Sequence, residues 1–445
     1  MGGPLDDHQH LAPPPILQRY ALLFLACIGC SFIVSCWSSA SLSQVHEDGL
    51  VHPSLQHCAD FPPISASEFS DRQTRLAESL HRLNASAYIA EPGATALYYA
   101  NISTSHWHLS ERPLLLVVTP SLIGDKIEPK ITVITPKFEA TRAKLLPIPA
   151  QVQFVEWPEE ADPYRVAASV FPKGSNTVFV DSSIRHFLVH GLQQAIPQSQ
   201  VATAPNEITQ LRERKSPAEL AILKCANEAT LHALRDVHSQ MYLGMRESEA
   251  RAMMTSALLE AGLTNGGCLT LFGENAALPH GSGSDRVLGK ADFALFDCTA
   301  SLHGYWSDVT RTVALSQSEI PDDHLKIWYH VHDAQSIALE TARRGILTRS
   351  VDEAARYSLR VAGYDSYFTH RLGHGIGLEV HEQPYLRGGS EDTIEIGHTF
   401  SDEPGVYIEG KVGVRLEDCF YVDDEGNAVY LTQAAGGQSQ SPWLL

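Results

Sequence analysis

The stretch Leu295-Phe-Asp-Cys-Thr-Ala-Ser-Leu-His-Gly-Tyr-Trp-Ser-Asp-Val-Thr-Arg-Thr-Val313 places one aspartate in each of two apolar runs that flank a short polar turn. The runs read as paired strands. With Leu302 and His303 at the tip of an antiparallel hairpin, Asp297 and Asp308 fall opposite one another on one face. Two carboxylates held that close in a partly buried site need a counter-charge. A divalent cation is the simplest one.

A second pattern of the same kind is Thr399-Phe-Ser-Asp-Glu-Pro-Gly-Val-Tyr-Ile-Glu-Gly-Lys-Val-Gly-Val-Arg-Leu-Glu-Asp-Cys-Phe-Tyr-Val422. A turn centred on Gly410 makes Glu403 and Glu417 opposing residues on one face. Four carboxylates with one or two imidazoles suit divalent ions such as Mn, Co or Zn, and can bridge a pair of them. The imidazole is expected from His370-Arg-Leu-Gly-His-Gly-Ile-Gly-Leu-Glu-Val-His381, where Gly373, Gly375 and Gly377 leave room for a ligand around His374 and where His370 and His381 bracket it. His280 lies just upstream of the first aspartate, in Ala276-Ala-Leu-Pro-His-Gly281. Each residue alone has a plainer reading: an Asp beside a turn is usually solvated, and Glu-Pro-Gly is usually only a turn. The combination on two hairpins favours a metal. Cys298 and Cys419 are read as packing residues.

The chain has 445 residues, more than one ordinary core needs, so two domains plus additional material are expected. A formal net charge of −19 and the lack of any Lys/Arg-rich run exclude a nucleic-acid partner. Residues 20–37 carry no charge and approach the length of a membrane span. Arg19 before them and Glu47 and Asp48 after them favour an anchor with residues 1–19 cytoplasmic and the catalytic part lumenal or extracellular. A cleaved signal peptide ending in the small residues Ser38 to Ser41, giving a secreted protein, is the rival. Sequons at Asn84 and Asn101 agree with export and a glycoprotein. Of eight cysteines, five lie outside the apolar segment with no CxxC spacing, which allows one or two disulfides and no zinc ribbon.

Residues 38–60 read as a linker. A first domain over 61–210 begins with a helix across Ser70–Leu83, capped by Ser70 or Asp71, and continues with strands near 113–119, 131–135 and 177–181, an α/β pattern without a phosphate loop. The second domain, 211–445, opens on a helix with Ser216 as N-cap, Pro217 first and Glu219 third. Helices over Glu247–Leu259 and His324–Arg344 separate the ligand-bearing strands.

Taken together, Ala277-Leu-Pro-His280, Asp297, Tyr305-Trp-Ser-Asp308-Val-Thr-Arg-Thr312, Gly373-His-Gly-Ile-Gly377, Val380-His-Glu382, Glu403-Pro-Gly405 and Val414-Arg-Leu-Glu-Asp418 resemble the pita-bread metallopeptidases. The resemblance is to the branch of Xaa-Pro aminopeptidases and Xaa-Pro dipeptidases (prolidases), with creatinase as a non-metal relative. It covers roughly Pro62 to Tyr430 and implies an α+β fold: a pita-bread domain of two pseudo-symmetric halves behind a smaller creatinase-like α/β domain. It further implies that Asp297 and Asp308 bind one metal ion and that Asp308, His374, Glu403 and Glu417 bind a second, Mn before Co or Zn. A shared water would then attack the first peptide bond, with Glu403 moving the proton. His280 and His381 would steady the scissile peptide, and His370 and Arg415 would face the proline side.

The expected activity is removal of an N-terminal residue from peptides with proline second, with strict dipeptidase action as the alternative. A non-catalytic pita-bread binding protein is the reading from another class, and its usual sign, a lost ligand, is missing. Thr299 stands where the family commonly has Gly. The partners expected are proline peptides, the membrane through residues 20–37 if uncleaved, and a second copy in a homodimer.

Overall fold

Ser65 closes the first helix: its hydroxyl accepts the backbone N–H of Glu68, so the helix α1 runs Ala66–Arg82, one turn earlier than the Ser70 or Asp71 cap predicts. The added turn includes the buried Phe69. The structure, a computed structural model, describes residues 58–172 and 177–445. The expected segments 1–19 and 20–37 and most of the linker lie outside them.

A mixed six-stranded sheet follows, built from β1 (Ala87–Ala90), β2 (Leu115–Ile123), β3 (Lys126–Pro136), β4 (Val152–Trp157), β5 (Thr177–Val180) and β6 (Gln200–Thr203). Its order is β4-β3-β2-β1-β5-β6, with β3/β4, β1/β5 and β5/β6 parallel. The run Leu115–Thr119 is buried at every position, as it must be in a strand covered on both faces. Helices α2 (Ala94–Ala100), α3 (Ala140–Ala143), α4 (Pro163–Ala168), α5 (His186–Ala195) and α6 (Asn206–Glu213) complete this part.

The remainder opens on α7 (Pro217–Gln240). Ser216 accepts from the Glu219 N–H and Glu219 accepts from the Ser216 N–H, the complete capping box that the sequence predicts. Such a cap contributes about 1 kcal/mol. Two structural halves succeed it. The first pairs α8 (Glu247–Glu260) and α7 with an antiparallel sheet of β7 (Thr264–Phe272), β8 (Ala294–Leu302) and β9 (Tyr305–Val313). In the second, α9 (Asp322–Thr341) and α10 (Thr348–Val361) back a sheet of β10 (Gly373–Gly375), β11 (Glu382–Leu386), β12 (Thr399–Asp402), β15 (Asp418–Val422) and β16 (Ala428–Tyr430). A separate hairpin joins β13 (Gly405–Ile408) to β14 (Val412–Arg415). Trp328 and Val331 of α9 pack with Phe400 and Phe420, and the Trp328 indole N–H donates to the Thr312 carbonyl, so this core is tied to the edge of the first half.

The first ligand hairpin turns one residue later than expected. His303 and Gly304 form its tip with φ of 52° and 87°, the pair of positive angles that a two-residue turn matching strand twist requires. Leu302 therefore faces Tyr305, Thr299 faces Asp308 and Asp297 faces Thr310. Moving the register by two keeps both aspartates on one face but makes them diagonal neighbours instead of direct opposites.

Two disulfides join Cys58 to Cys225 and Cys268 to Cys298. Cys298 is thus a cross-strand bridge between β7 and β8, not the simple packing residue expected. Cys419 is a buried free thiol, in agreement with that reading.

Candidate metal centre

Three neighbouring chain segments set one row of side chains. Asp297 on β8 faces Thr310 on β9, and Thr310 in turn exchanges backbone hydrogen bonds with Glu417, which lies between β14 and β15. The pairs Gly405↔Arg415 and Asp402↔Asp418 share one register centred on Gly410. Glu403 and Glu417 sit between those pairs, as the hairpin reading predicts.

His374 comes from β10, between β11 and β12. Its backbone N–H donates to Ser401 Oγ, and its Nδ1 lies 3.1 Å from the Gly375 carbonyl. That contact places the proton on Nδ1 and turns Nε2 toward the carboxylates, the orientation a metal-binding imidazole needs. Nε2 is 3.2 Å from Glu403 Oε1 and 3.7 Å from Asp308 Oδ2. The flanking glycines serve a different purpose from the one expected. A Cβ on Gly373 would lie 2.0 Å from the Ser401 carbonyl oxygen, and one on Gly375 2.6 Å from the Gln383 carbonyl oxygen. They admit neighbouring backbone, not a ligand.

Ligand atoms of Asp308, His374 and Glu417 lie within 4.8 Å of one another, and all three residues are buried. Asp308 Oδ1 and Glu417 Oε1 are buried without a hydrogen-bond partner. Burial, with Asp297 and Glu403 nearby, raises the Asp308 carboxyl well above its usual range; burial and Asp308 do the same to Glu417. Burial also acts on Glu403; where His374 carries a second proton on Nε2, its hydrogen bond and charge, with His370 and Arg415, outweigh burial and lower Glu403 to about 2. Two orphaned, mutually repelling carboxylate oxygens beside a lone-pair nitrogen fit a divalent cation.

Asp297 is held differently. Arg415 Nη2 donates to its Oδ2 at 2.7 Å, and the same guanidinium reaches Tyr407, Thr310 and the Pro279 carbonyl. Arg415 is therefore occupied by protein partners, where the resemblance implies a residue facing the proline side. Tyr407 also contacts His370 Nε2 at 2.8 Å, so it links the expected His370 and Arg415. His381 is exposed and its ring meets His374 edge-on, with centroids 4.3 Å apart; partial burial, His374 and Arg371 lower it to about 4. His280 occupies an exposed turn, one residue after the carbonyl that Arg415 reaches.

Sequence reasoning missed Thr310 and Tyr407. Both had a signal. Thr310 stands two residues after Asp308 on the same strand, and Tyr407 continues the alternation Glu403, Gly405, Tyr407.

The profile of "Metallopeptidase family M24" matches residues 221–424. Over 417 residues the chain is 35% identical to an uncharacterized peptidase of Schizosaccharomyces pombe, covering 92% of this chain and 90% of that protein. Among solved structures, dipeptidase PepE from Mycobacterium ulcerans superposes with a TM-score of 0.74 at 28% identity, covering 83% of this chain and 97% of that one. A prolidase from Thermococcus sibiricus gives a TM-score of 0.71 at 26% identity, covering 83% and 98%.

The localisation expected from residues 20–37, a membrane-anchored or secreted protein with a lumenal or extracellular catalytic domain, is corrected by these comparisons. The solved peptidases, each matched over at least 97% of its own length, account for 83% of the chain, and no described helix is long and apolar enough to cross a membrane. The segment itself lies outside the described residues. The glycoprotein expectation has no support either. The Asn101 side-chain nitrogen, where a glycan would attach, donates to the Pro147 carbonyl.

Proposed function

The chain belongs to metallopeptidase family M24, and from that premise we propose that it is an Xaa-Pro aminopeptidase, hydrolysing the bond between an N-terminal residue and a proline in second position. The observation that carries this reading is the cluster of Asp308, His374 and Glu417 with two orphaned carboxylate oxygens. Strict dipeptidase action is the second reading, favoured by the dipeptidase and prolidase names of the solved relatives.

In this proposal Asp297, Asp308, His374, Glu403 and Glu417 hold two divalent ions, with Mn the first choice and Co or Zn the alternatives. When bound, the ions supply Lewis-acid polarisation and a nucleophile available at neutral pH. Asp308 and Glu417 would each offer such an ion a buried oxygen that no hydrogen bond occupies. Glu403, whose Oε1 lies 3.2 Å from His374 Nε2, is placed to take a proton and return it to the leaving proline nitrogen. His381, neutral above about pH 4, can donate a hydrogen bond to the scissile carbonyl without adding a fixed charge. His280 lies in a turn open to a peptide. His370, anchored by Tyr407, faces the proline side. We reassign Arg415 from substrate binding to a positioning role, since its donors serve Asp297 and Tyr407.

The test is turnover of Xaa-Pro and Xaa-Pro-Pro-Xaa peptides by the full chain. A chelator abolishes cleavage and Mn or Co restores it, while Asp308→Ala stays inactive with metal. Activity that survives chelation and dialysis overturns the reading. Cleavage of dipeptides alone selects the second one.

A further inference from the structure

Two ion pairs cross from the segment joining α6 to α7 to the segment that carries His381. Arg212, in the last turn of α6, donates through Nη2 to Glu379 Oε2, and Lys215, just before the Ser216 cap of α7, donates through Nζ to Glu382 Oε1. Both pairs span the same offset of 167 residues, so the two segments run side by side in one register. His381 lies between the two glutamates. Among the described residues its ring takes part in no hydrogen bond and packs edge-on against the His374 ring, with 4.3 Å between centroids. The place of that ring therefore depends on what holds the chain on either side of it.

The two pairs hold it unequally. Glu379 is 41% exposed at its side chain, so water and salt screen its attraction to Arg212. Lys215 and Glu382 are 2% and 3% exposed, and separating them would leave a buried charge without its partner, which is strongly unfavourable. Glu382 Oε2 also lies 3.5 Å from Arg212, so both cations bear on this one carboxylate. Gly377 makes room for the buried pair. A Cβ there would lie 2.7 Å from Glu382 Oε1 and 2.8 Å from Lys215 Cε.

The cations are themselves anchored. Arg212 Nη1 donates to the Thr95 hydroxyl at 3.1 Å, and the Tyr98 hydroxyl donates to the Leu211 carbonyl, both contacts coming from α2. The Lys215 backbone N–H donates to the Gly397 carbonyl at 2.8 Å. A continuous set of contacts thus runs from α2 through Arg212 and Lys215 to the residues flanking His381.

We propose that Arg212 and Lys215 are positioning residues for His381: by gripping the glutamates on either side of it, they hold its imidazole at the scissile carbonyl. The inference rests on the Xaa-Pro peptidase reading and on the hydrogen bond assigned there to His381. Neither cation needs to touch substrate. Through Thr95 and Tyr98, the part of the chain that holds the six-stranded sheet becomes a support of the active site.

The experiment is a double-mutant cycle on the Mn-loaded full chain, with Ala-Pro and Ala-Pro-Ala as substrates. Lys215→Met/Glu382→Gln removes the buried pair without stranding a charge, and Arg212→Gln removes the exposed one. The expected loss of kcat is about tenfold in the first and about threefold in the second, with KM and the Mn midpoint unchanged. In a His381→Ala background the same changes should have no further effect on kcat, because the group they position is gone. Equal losses in both backgrounds overturn the proposal, as does wild-type kcat in both variants. A readout without turnover is the His381 ring resonance of Zn-loaded protein carrying 13C-labelled histidine, identified by its loss in His381→Ala. It should shift or broaden in Arg212→Gln while the His370 resonance stays in place, and an unmoved His381 signal overturns the proposal. If the wild type cleaves neither peptide, the peptidase reading fails, and a displaced His381 resonance still supports the positioning role.

Discussion

Thr310 fastens Glu417 twice: their backbones exchange two hydrogen bonds, and the Thr310 hydroxyl donates to Glu417 Oε2 at 2.6 Å. This contact joins the strand that carries Asp308 to the segment that carries Glu417, so one threonine aligns ligands from both halves of the molecule. Thr310→Val keeps the shape and removes the hydroxyl's bonds to Glu417 and Arg415 while leaving the backbone pair. Metal affinity should fall about tenfold, with kcat at saturating Mn changed only a few-fold. The midpoint of an activity titration with Mn checks this, and an unmoved midpoint rejects it.

Gly373 places its neighbour His374 by letting β10 approach β12. The added Cβ in Gly373→Ala would lie 2.0 Å from the Ser401 carbonyl oxygen, so the strands must separate. The expected cost is about 1–3 kcal/mol in urea unfolding, accompanied by loss of metal binding. Wild-type stability and affinity together would show that the strands separate without penalty.

Tyr407 links His370 to Arg415. Burial pushes its hydroxyl up to about 12, which leaves it a hydrogen-bonding group and no base at neutral pH. Tyr407→Phe should therefore lower kcat/KM about tenfold and stability by about 1 kcal/mol, while both limbs of the pH–rate profile keep their positions. A displaced limb would mean that the hydroxyl itself titrates in the reaction.

His398 is buried against Phe400, with Nδ1 accepting the Glu395 N–H and Nε2 unpartnered. Burial, with Lys215 and Arg214 nearby, depresses it from 6.5 to about 3. Between those values the unfolded chain binds a proton that the folded chain does not, so stability is lost as pH falls below about 6.5. At pH 5 the loss is on the order of 1–2 kcal/mol. His398→Asn, which keeps an acceptor for Glu395, should flatten the dependence of Tm on pH between 5 and 6.5. An equally steep dependence in the variant would assign it to other groups.

The second hairpin was fully legible in the sequence because Gly410 could only be its turn, and the register of Glu403 and Glu417 followed. The first was read two positions out of pairing. Its tip uses His303 in the left-handed region, a conformation that non-glycine residues adopt rarely and that residue type alone does not announce. The helix start at Ser216 could be read because every capping residue was present, whereas Ser65 lay outside the apolar period that marked α1. Pairing of Cys58 with Cys225 depends on the packing of distant segments, and the separation of 167 residues offers no local signal. The charge state of the site was equally hidden. Spacing put Asp297 beside Asp308, but nothing in it indicated that Arg415 would take Asp297 for itself.

The Cys58–Cys225 bond turns residues 58–225 into a closed covalent ring that contains the whole six-stranded sheet and fastens at α7. In the chain-entropy account, closing a loop of that size restricts the unfolded chain by about 5 kcal/mol. The ring also changes what a protease can do. A single cut in the exposed loop after β4 opens the circle but releases nothing, because each new end remains tethered through the sulfurs. Such a nicked chain keeps its full mass on a non-reducing gel and separates into two pieces only when thiol is added.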